Sequence, residues 1–253
     1  MKPSVHLKLT VAYDGARFAG WQRQKSGRTV QEALEQALRK ITGHPAPVTG
    51  AGRTDSGVHA QGQVAHATIR SGIRLPDLHR ALNALLPEDV VIRSLRLERP
   101  DFHARYDAEA KRYLYTIWNH PIRPLFERDR VWHVARPLEV GRMRQAARRM
   151  RGRHDFRAFH SSGRPVRSTV RNLRSLSVRK NGARILIEAE ADGFLYHMAR
   201  RIVGLLVEIG AGRWAVSAVP QLLSGEERRP APTAPGRGLC LLKVSYRRRQ
   251  KLA

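Results

Sequence analysis

Residues 50–62 read GAGRTDSGVHAQG, and inside them Arg53 and Asp55 stand two positions apart in a glycine-rich stretch. An ionised carboxylate can act as a nucleophile, and a cation close by favours the ionised form. Glycines on both sides permit positive φ and the close approach of another backbone, such as that of RNA. Two readings fit these residue types. In one the segment is structural, with Thr54 or Asp55 capping a helix or closing an Asx-turn. In the other Asp55 does chemistry. The charge balance argues for chemistry: 47 Lys and Arg against 21 Asp and Glu give +26, with an isoelectric point near 11.6. A surface built to meet a polyanion should avoid a lone carboxylate unless that carboxylate reacts.

Only eight of the 47 basic residues are Lys. Guanidinium presents a bidentate fork to phosphate, so the first candidate partner is nucleic acid. Other chemistries lack their residues. The single cysteine, Cys240, excludes a disulfide framework and a Cys-cluster zinc site. Neither HExxH nor CxxC occurs, so no metal site is expected; KSGRT (25–29) lacks P-loop spacing, and no G-x-S-x-G elbow is present. Gly50 and Gly52 have no third glycine in dinucleotide-binding register. Residues 1–13 hold no apolar signal-peptide core, and the most apolar helix, near 198–209, is interrupted by Arg200, Arg201 and Glu208. A soluble, cytoplasmic chain without membrane contact is the expectation.

The elements that must hold these residues follow from periodicity. Val5, Leu7, Leu9, Val11 and Tyr13 alternate as a strand, and 14–28 reads as loop. Thr29 with Glu32 forms a capping box for a helix whose stripe is Val30, Ala33, Leu34, Ala37, Leu38 and Ile41, ended by Gly43. A short strand leads into the glycine-rich segment, and 62–69 is another strand. A helix over 76–87 starts with Pro76 and turns Leu78, Leu82 and Leu85 inward; 90–98 closes the set. The order β-α-β-β-α-β is ferredoxin-like. The second half repeats element order without repeating sequence. It has strands over 111–118 and 130–134, and a basic helix over 138–151 that turns Met143, Ala146, Ala147 and Met150 inward. A loop over 152–165 follows, then a hairpin of 168–180 with 183–191. Helices over 196–210 and 215–223, a Pro-rich loop over 227–238 and a last strand over 239–246 complete it. The predicted class is α+β: two ferredoxin-like-related halves, 1–104 and 105–253, forming a mostly antiparallel sheet flanked by helices, with a basic cleft between them. The Arg residues of the 138–151 helix and the tail RRRQK (247–251) are candidate basic patches.

GAGRTDSGVHA resembles the active-site signature of the tRNA pseudouridine synthase A family. The resemblance extends to YDGARFAGWQRQ and TVQEALEQAL (within 13–38), FHARYDAEAKRYLYTIWN (102–119), GFLYHMARRIVGLL (193–206) and APGRGLCLLKVSY (234–246), in order along nearly the whole chain. Ala199 departs from it, standing where the family usually has Val, and 152–167 matches less well. The resemblance implies isomerisation of uridine to pseudouridine in the tRNA anticodon stem-loop, at positions 38, 39 and/or 40. It implies a homodimer bound to tRNA, with no cofactor and no metal. It makes Asp55 the nucleophile and Arg53 the residue that assists base flipping, a plain phosphate contact being the other role open to Arg53. Tyr113 is expected to stack on the flipped uracil, with Tyr115 on the same strand face as its rival. Arg200 is expected to pair with the Asp55 carboxylate, with Arg201, more suited to facing solvent or RNA, as the alternative. Leu239 or its neighbours would floor the pocket. A non-catalytic RNA-binding module, and a synthase acting on another RNA, are the alternatives to this reading.

Overall fold

Alternating apolar residues make β1 (Ser4–Tyr13), which buries Leu7, Leu9, Val11 and Tyr13. The computed structural model in which this strand is seen describes residues 3–161, 166–227 and 229–247. A 3-10 turn over Gly15–Arg17 follows, then α1 (Val30–Thr42). Thr29 caps α1 through its side chain, accepting from the Glu32 N–H, and Gly43 ends it in the left-handed region at φ 79°. Next come β2 (Thr49–Gly50), β3 (His59–Arg70), α2 (Leu75–Leu85) and β4 (Val90–Leu97). β1 pairs antiparallel with both β3 and β4, and β2 pairs with β3. This is the β-α-β-β-α-β order and pairing the sequence predicts.

The rest of the chain supplies β5 (Ala108–Asn119), β6 (Trp132–Val134), α3 (Val140–Met150), β7 (Gly152–Asp155), β8 (Val170–Asn181) and β9 (Arg184–Ala191). α4 (Met198–Gly210), α5 (Ala218–Ser224), a 3-10 turn over Gly236–Gly238 and β10 (Leu239–Tyr246) follow. β5, β9, β8 and β7 pair in that order, all antiparallel, and β6 lies parallel to β5. The class is α+β, with ten strands in mostly antiparallel pairing and five α-helices among the described residues. The chain divides into two compact units: one takes the chain up to Glu109 and again from Leu241 onward, and the other is Ala110–Cys240. In the first unit β10 lies beside β3, close enough that Gly62 meets the Leu242 carbonyl where a Cβ would stand.

Two local expectations are corrected. Leu85 does not face the core: it is 43% exposed. α2 ends there, and Leu86, in extended conformation at the C-cap, turns inward in its place. The predicted loop 152–165 contains a strand and a 3-10 turn. GRHD has no apolar alternation because β7 is an edge strand, shaped by its pairing with β8 rather than by burial. The following 3-10 turn, Arg157–Phe159, sinks Phe156 and Phe159. In α3 the expected inward residues Met143, Ala146, Ala147 and Met150 are buried. Its basic face is narrower than its Arg count suggests. Arg142 pairs with Glu139 and Arg144 Nε donates to Val178 O, while Arg148 and Arg149 remain exposed. Of the tail RRRQK, residues 248–251 lie outside the described residues.

Candidate active site

The segment holding Asp55 is an irregular stretch clamped on both sides. Ala51 N donates to Val64 O at 2.7 Å, and Gln63 Nε2 donates to Gly52 O at 2.9 Å. Thr54 is buried: its Oγ1 is 2.8 Å from Tyr13 Oη, and its carbonyl accepts from Trp21 N at 3.0 Å. A turn closed by Val58 N to Asp55 O (3.2 Å) carries Gly57 at φ 74°. Ser56 Oγ and Gly57 N both reach Phe18 O, and His59 Nδ1 accepts from Gly15 N at 3.0 Å with Asp14 Oδ1 3.1 Å away. Burial alternates along the segment: Arg53 is exposed, Thr54 buried, Asp55 half-buried. The fold therefore holds the backbone on either side of Asp55 fixed while leaving its carboxylate partly open.

At Gly50, and at Gly15 and Gly20 upstream of the segment, the missing Cβ makes room for the protein's own packing. A Cβ on Gly50 would lie 2.6–2.7 Å from the buried Trp21 indole. One on Gly15 would lie 2.5 Å from the Val58 carbonyl carbon, and Gly20, at φ 115°, would meet Thr54 O at 2.6 Å. Within 50–62, the space beside Gly50 and Gly62 is thus filled by the protein itself.

In the second unit, β5 carries the two tyrosines on one buried face. Tyr113 meets Phe194 edge-on, with ring centroids 4.9 Å apart at 81°. Tyr115 is fully enclosed, donates to Pro235 O at 2.8 Å and leaves no room for a Cβ on Gly238. Burial pushes its phenol far above the usual tyrosine range, against the opposing pull of Arg200 and Arg237. Both rings are buried, but only Tyr115 is tied to the 232–239 segment.

α4 follows its N-cap His197, whose φ of 64° puts a non-glycine residue in the left-handed region. His197 Nδ1 is 2.9 Å from Ser161 Oγ. One turn in, Arg200 Nε donates to Ala234 O at 2.7 Å while Ala234 N donates to Arg200 O at 3.1 Å. Gly204 lets Pro232 lie directly on the helix. The chain from 232 to 239 is thus a strap linking Arg200, Tyr115 and, at its end, the buried Leu239. Arg201, expected to face solvent or RNA, is half-buried: its Nη1 donates to Ala158 O and His160 O, and burial lowers its pKa. Its place in the first turn of α4 aims it at the 3-10 turn, so it braces the fold. Sequence reading missed Phe194, Trp21 and the strap. The only signals were an aromatic ahead of α4, one inside a loop, and a Pro-rich run.

Arg53 and Asp55 thus sit together on one loop of the first unit; in the second, the strap holds Arg200 and ends at Leu239, and Tyr113 lies against Phe194. Among the described residues no group of three or more His, Cys, Asp or Glu is arranged to hold a metal ion, and no helix is long and apolar enough to cross a membrane. A family model described as tRNA pseudouridine synthase matches residues 9–107 and 146–247. A tRNA pseudouridine synthase A of Moorella thermoacetica is 46% identical over 243 residues, covering 95% of this chain and 99% of that relative. Proteins of the same name are similar at 42% over 242 residues in Acetivibrio thermocellus and 46% over 252 residues in Solidesulfovibrio magneticus, again over 95% of this chain. The chain belongs to the tRNA pseudouridine synthase A family, a family of isomerases.

Proposed function

We propose that the protein isomerises uridine to pseudouridine at position 38, 39 and/or 40 of the tRNA anticodon stem-loop, with Asp55 as nucleophile. The observation that carries the residue assignment is the clamp: a half-open carboxylate on a backbone fixed at both ends, two residues from an exposed Arg53. Fixing the nucleophile before substrate arrives removes a positioning cost from the chemical step. The target uridine lies in or beside a stem, so it must leave the stack, at a cost of about a few kcal/mol; Arg53 fills the space it leaves. Asp55 reacts with the nucleotide and the bond from C1′ to N1 breaks. The uracil turns, C5 bonds to C1′ as the bond to Asp55 breaks and frees the carboxylate, and the C5 proton is lost as N1 gains one. Atoms and electrons balance within the nucleotide, so no co-reactant enters. Tyr113 stacks on the uracil, Arg200 pairs with the Asp55 carboxylate, its guanidinium held by the Ala234 carbonyl, and Leu239 contributes apolar floor. The protein works in the cytoplasm as a homodimer.

The test is tritium release from C5-labelled uridine in unmodified tRNA. Wild type releases label; Asp55→Ala releases none yet folds and binds tRNA nearly as wild type does. Full release by Asp55→Ala removes the nucleophile assignment, and no release by wild type from any tRNA removes the enzymatic reading in favour of an RNA-binding module.

A further inference from the structure

The turn between β4 and β5 carries an aromatic column that the chemistry above does not use. His6 and His66 have ring centroids 5.1 Å apart, His66 and His103 4.7 Å, and His103 and Tyr106 4.2 Å at 28°, a stacked pair. Its inner end is fixed on the sheet. His6 bridges Thr68 Oγ1 and Phe102 O, and His66 Nδ1 accepts from Ala104 N at 3.1 Å. The backbone beneath its outer end is fixed as well: Tyr246 Oη donates to Ala104 O, and Asp107 Oδ2 accepts from His103 N. His103 Nδ1 accepts from the N–H groups of Arg105 and Tyr106, so its neutral-ring proton sits on Nε2 and the ring cannot turn without breaking both bonds. The outer end is Tyr106, 76% exposed and stacked on His103.

We propose that Tyr106 is a stacking platform for an unpaired nucleobase of the RNA substrate, apart from the reacting uridine. An exposed aromatic whose ring is already held needs no further ordering to accept a planar base, and base–aromatic stacking is sequence-tolerant. The surrounding charge selects a base over a phosphate. Asp101 and Asp107 are tied to Arg99, and Glu109 to Arg247, so these cations are matched by carboxylates. Arg105, its guanidinium carbon over the Tyr106 ring at 5.7 Å from the centroid, supplies a cation at the platform. The same density of charge suits a wet RNA contact and not the apolar centre of a protein interface. This proposal rests on the reading of the protein as an RNA-modifying enzyme.

The test measures Kd for an unmodified tRNA transcript and for a fully paired RNA duplex of equal length, across a salt series. Tyr106→Ala should weaken transcript binding roughly 5- to 150-fold, and Tyr106→Phe and Tyr106→Trp should restore it. Duplex affinity should not change, and the slope of log K against log salt should stay that of wild type, because no phosphate contact is removed. Equal binding of the transcript by Tyr106→Ala and wild type overturns the platform while wild-type tritium release leaves the enzyme reading intact. An equal loss on the duplex, a salt slope lower by about one, or a change in oligomeric state by sedimentation also overturns it. If wild type neither releases tritium nor prefers transcript to duplex, the functional reading itself fails and the platform with it.

Discussion

Gly204→Ala tests whether the strap over α4 is what sets Arg200. On helix propensity alone the change should stabilise, since Gly inside a helix costs about 0.8–1.0 kcal/mol against Ala. The structure predicts the opposite sign. A Cβ at Gly204 would stand 2.7 Å from the Pro232 carbonyl carbon, closer still to its oxygen, and 3.4 Å from Ala234 N. Both neighbours are backbone, so no side chain can swing away. Overpacking of this kind costs about 1–3 kcal/mol. Lifting the strap also strains the reciprocal Arg200–Ala234 bonds and the Tyr115–Pro235 bond, each worth about 0.5–1.5 kcal/mol. Set against the propensity gain, the net is a loss of about 2–3 kcal/mol, or a Tm lower by about 4–12 °C for a chain of this size. Thermal and urea unfolding read the stability, and tritium release reads the consequence for Arg200, which should be a lower rate at saturating tRNA. Gly43→Ala is the control: its φ of 79° carries backbone strain, but nothing lies within 4 Å of its Cβ, so stability should fall by about 1–2 kcal/mol with catalysis unchanged. A Gly204→Ala protein as stable as wild type, or more so, refutes the strap as the clamp on Arg200.

Acid should loosen the first unit through His66, whose pKa is lowered to about 4 by burial first and then by His103 and His6, against Asp107. The folded state holds it neutral, so its contribution is full above the unfolded value near 6.5 and is lost as pH falls toward 4; the urea midpoint should drop from pH 7 to pH 5 in wild type and drop less in His66→Gln, and equal drops would refute this. For the proposed homodimer, Phe126 is 93% exposed beside exposed Ile122 and Leu125 in the loop after β5, so Phe126→Asp should shift sedimentation toward monomer, and unchanged sedimentation removes that surface from the interface.

The elements legible in the sequence were those whose own periodicity decides burial: β1 by alternation, α1 by its stripe and caps, α3 by Met143, Ala146, Ala147 and Met150. Where a partner distant in the chain decides, local pattern is silent. β7 is polar because β8 makes it a strand, and Leu85 leaves the core because Leu86 replaces it. The site divides the same way. Asp55 stood out by residue type, as a carboxylate in a basic chain, and Arg53 by its distance from it. What fixes them did not: Tyr13 and Trp21 lie more than thirty residues upstream, and Gly50 reads as openness when its missing Cβ is the seat of an indole. The Pro-rich run 227–238 carries no periodicity, yet from 232 it lies against Gly204 and closes on Arg200 and Tyr115. A glycine in a motif is therefore ambiguous until the neighbour is known. Gly204 and Gly50 turn out to be contact residues, and a change at either should act on the proposed catalytic groups without touching them.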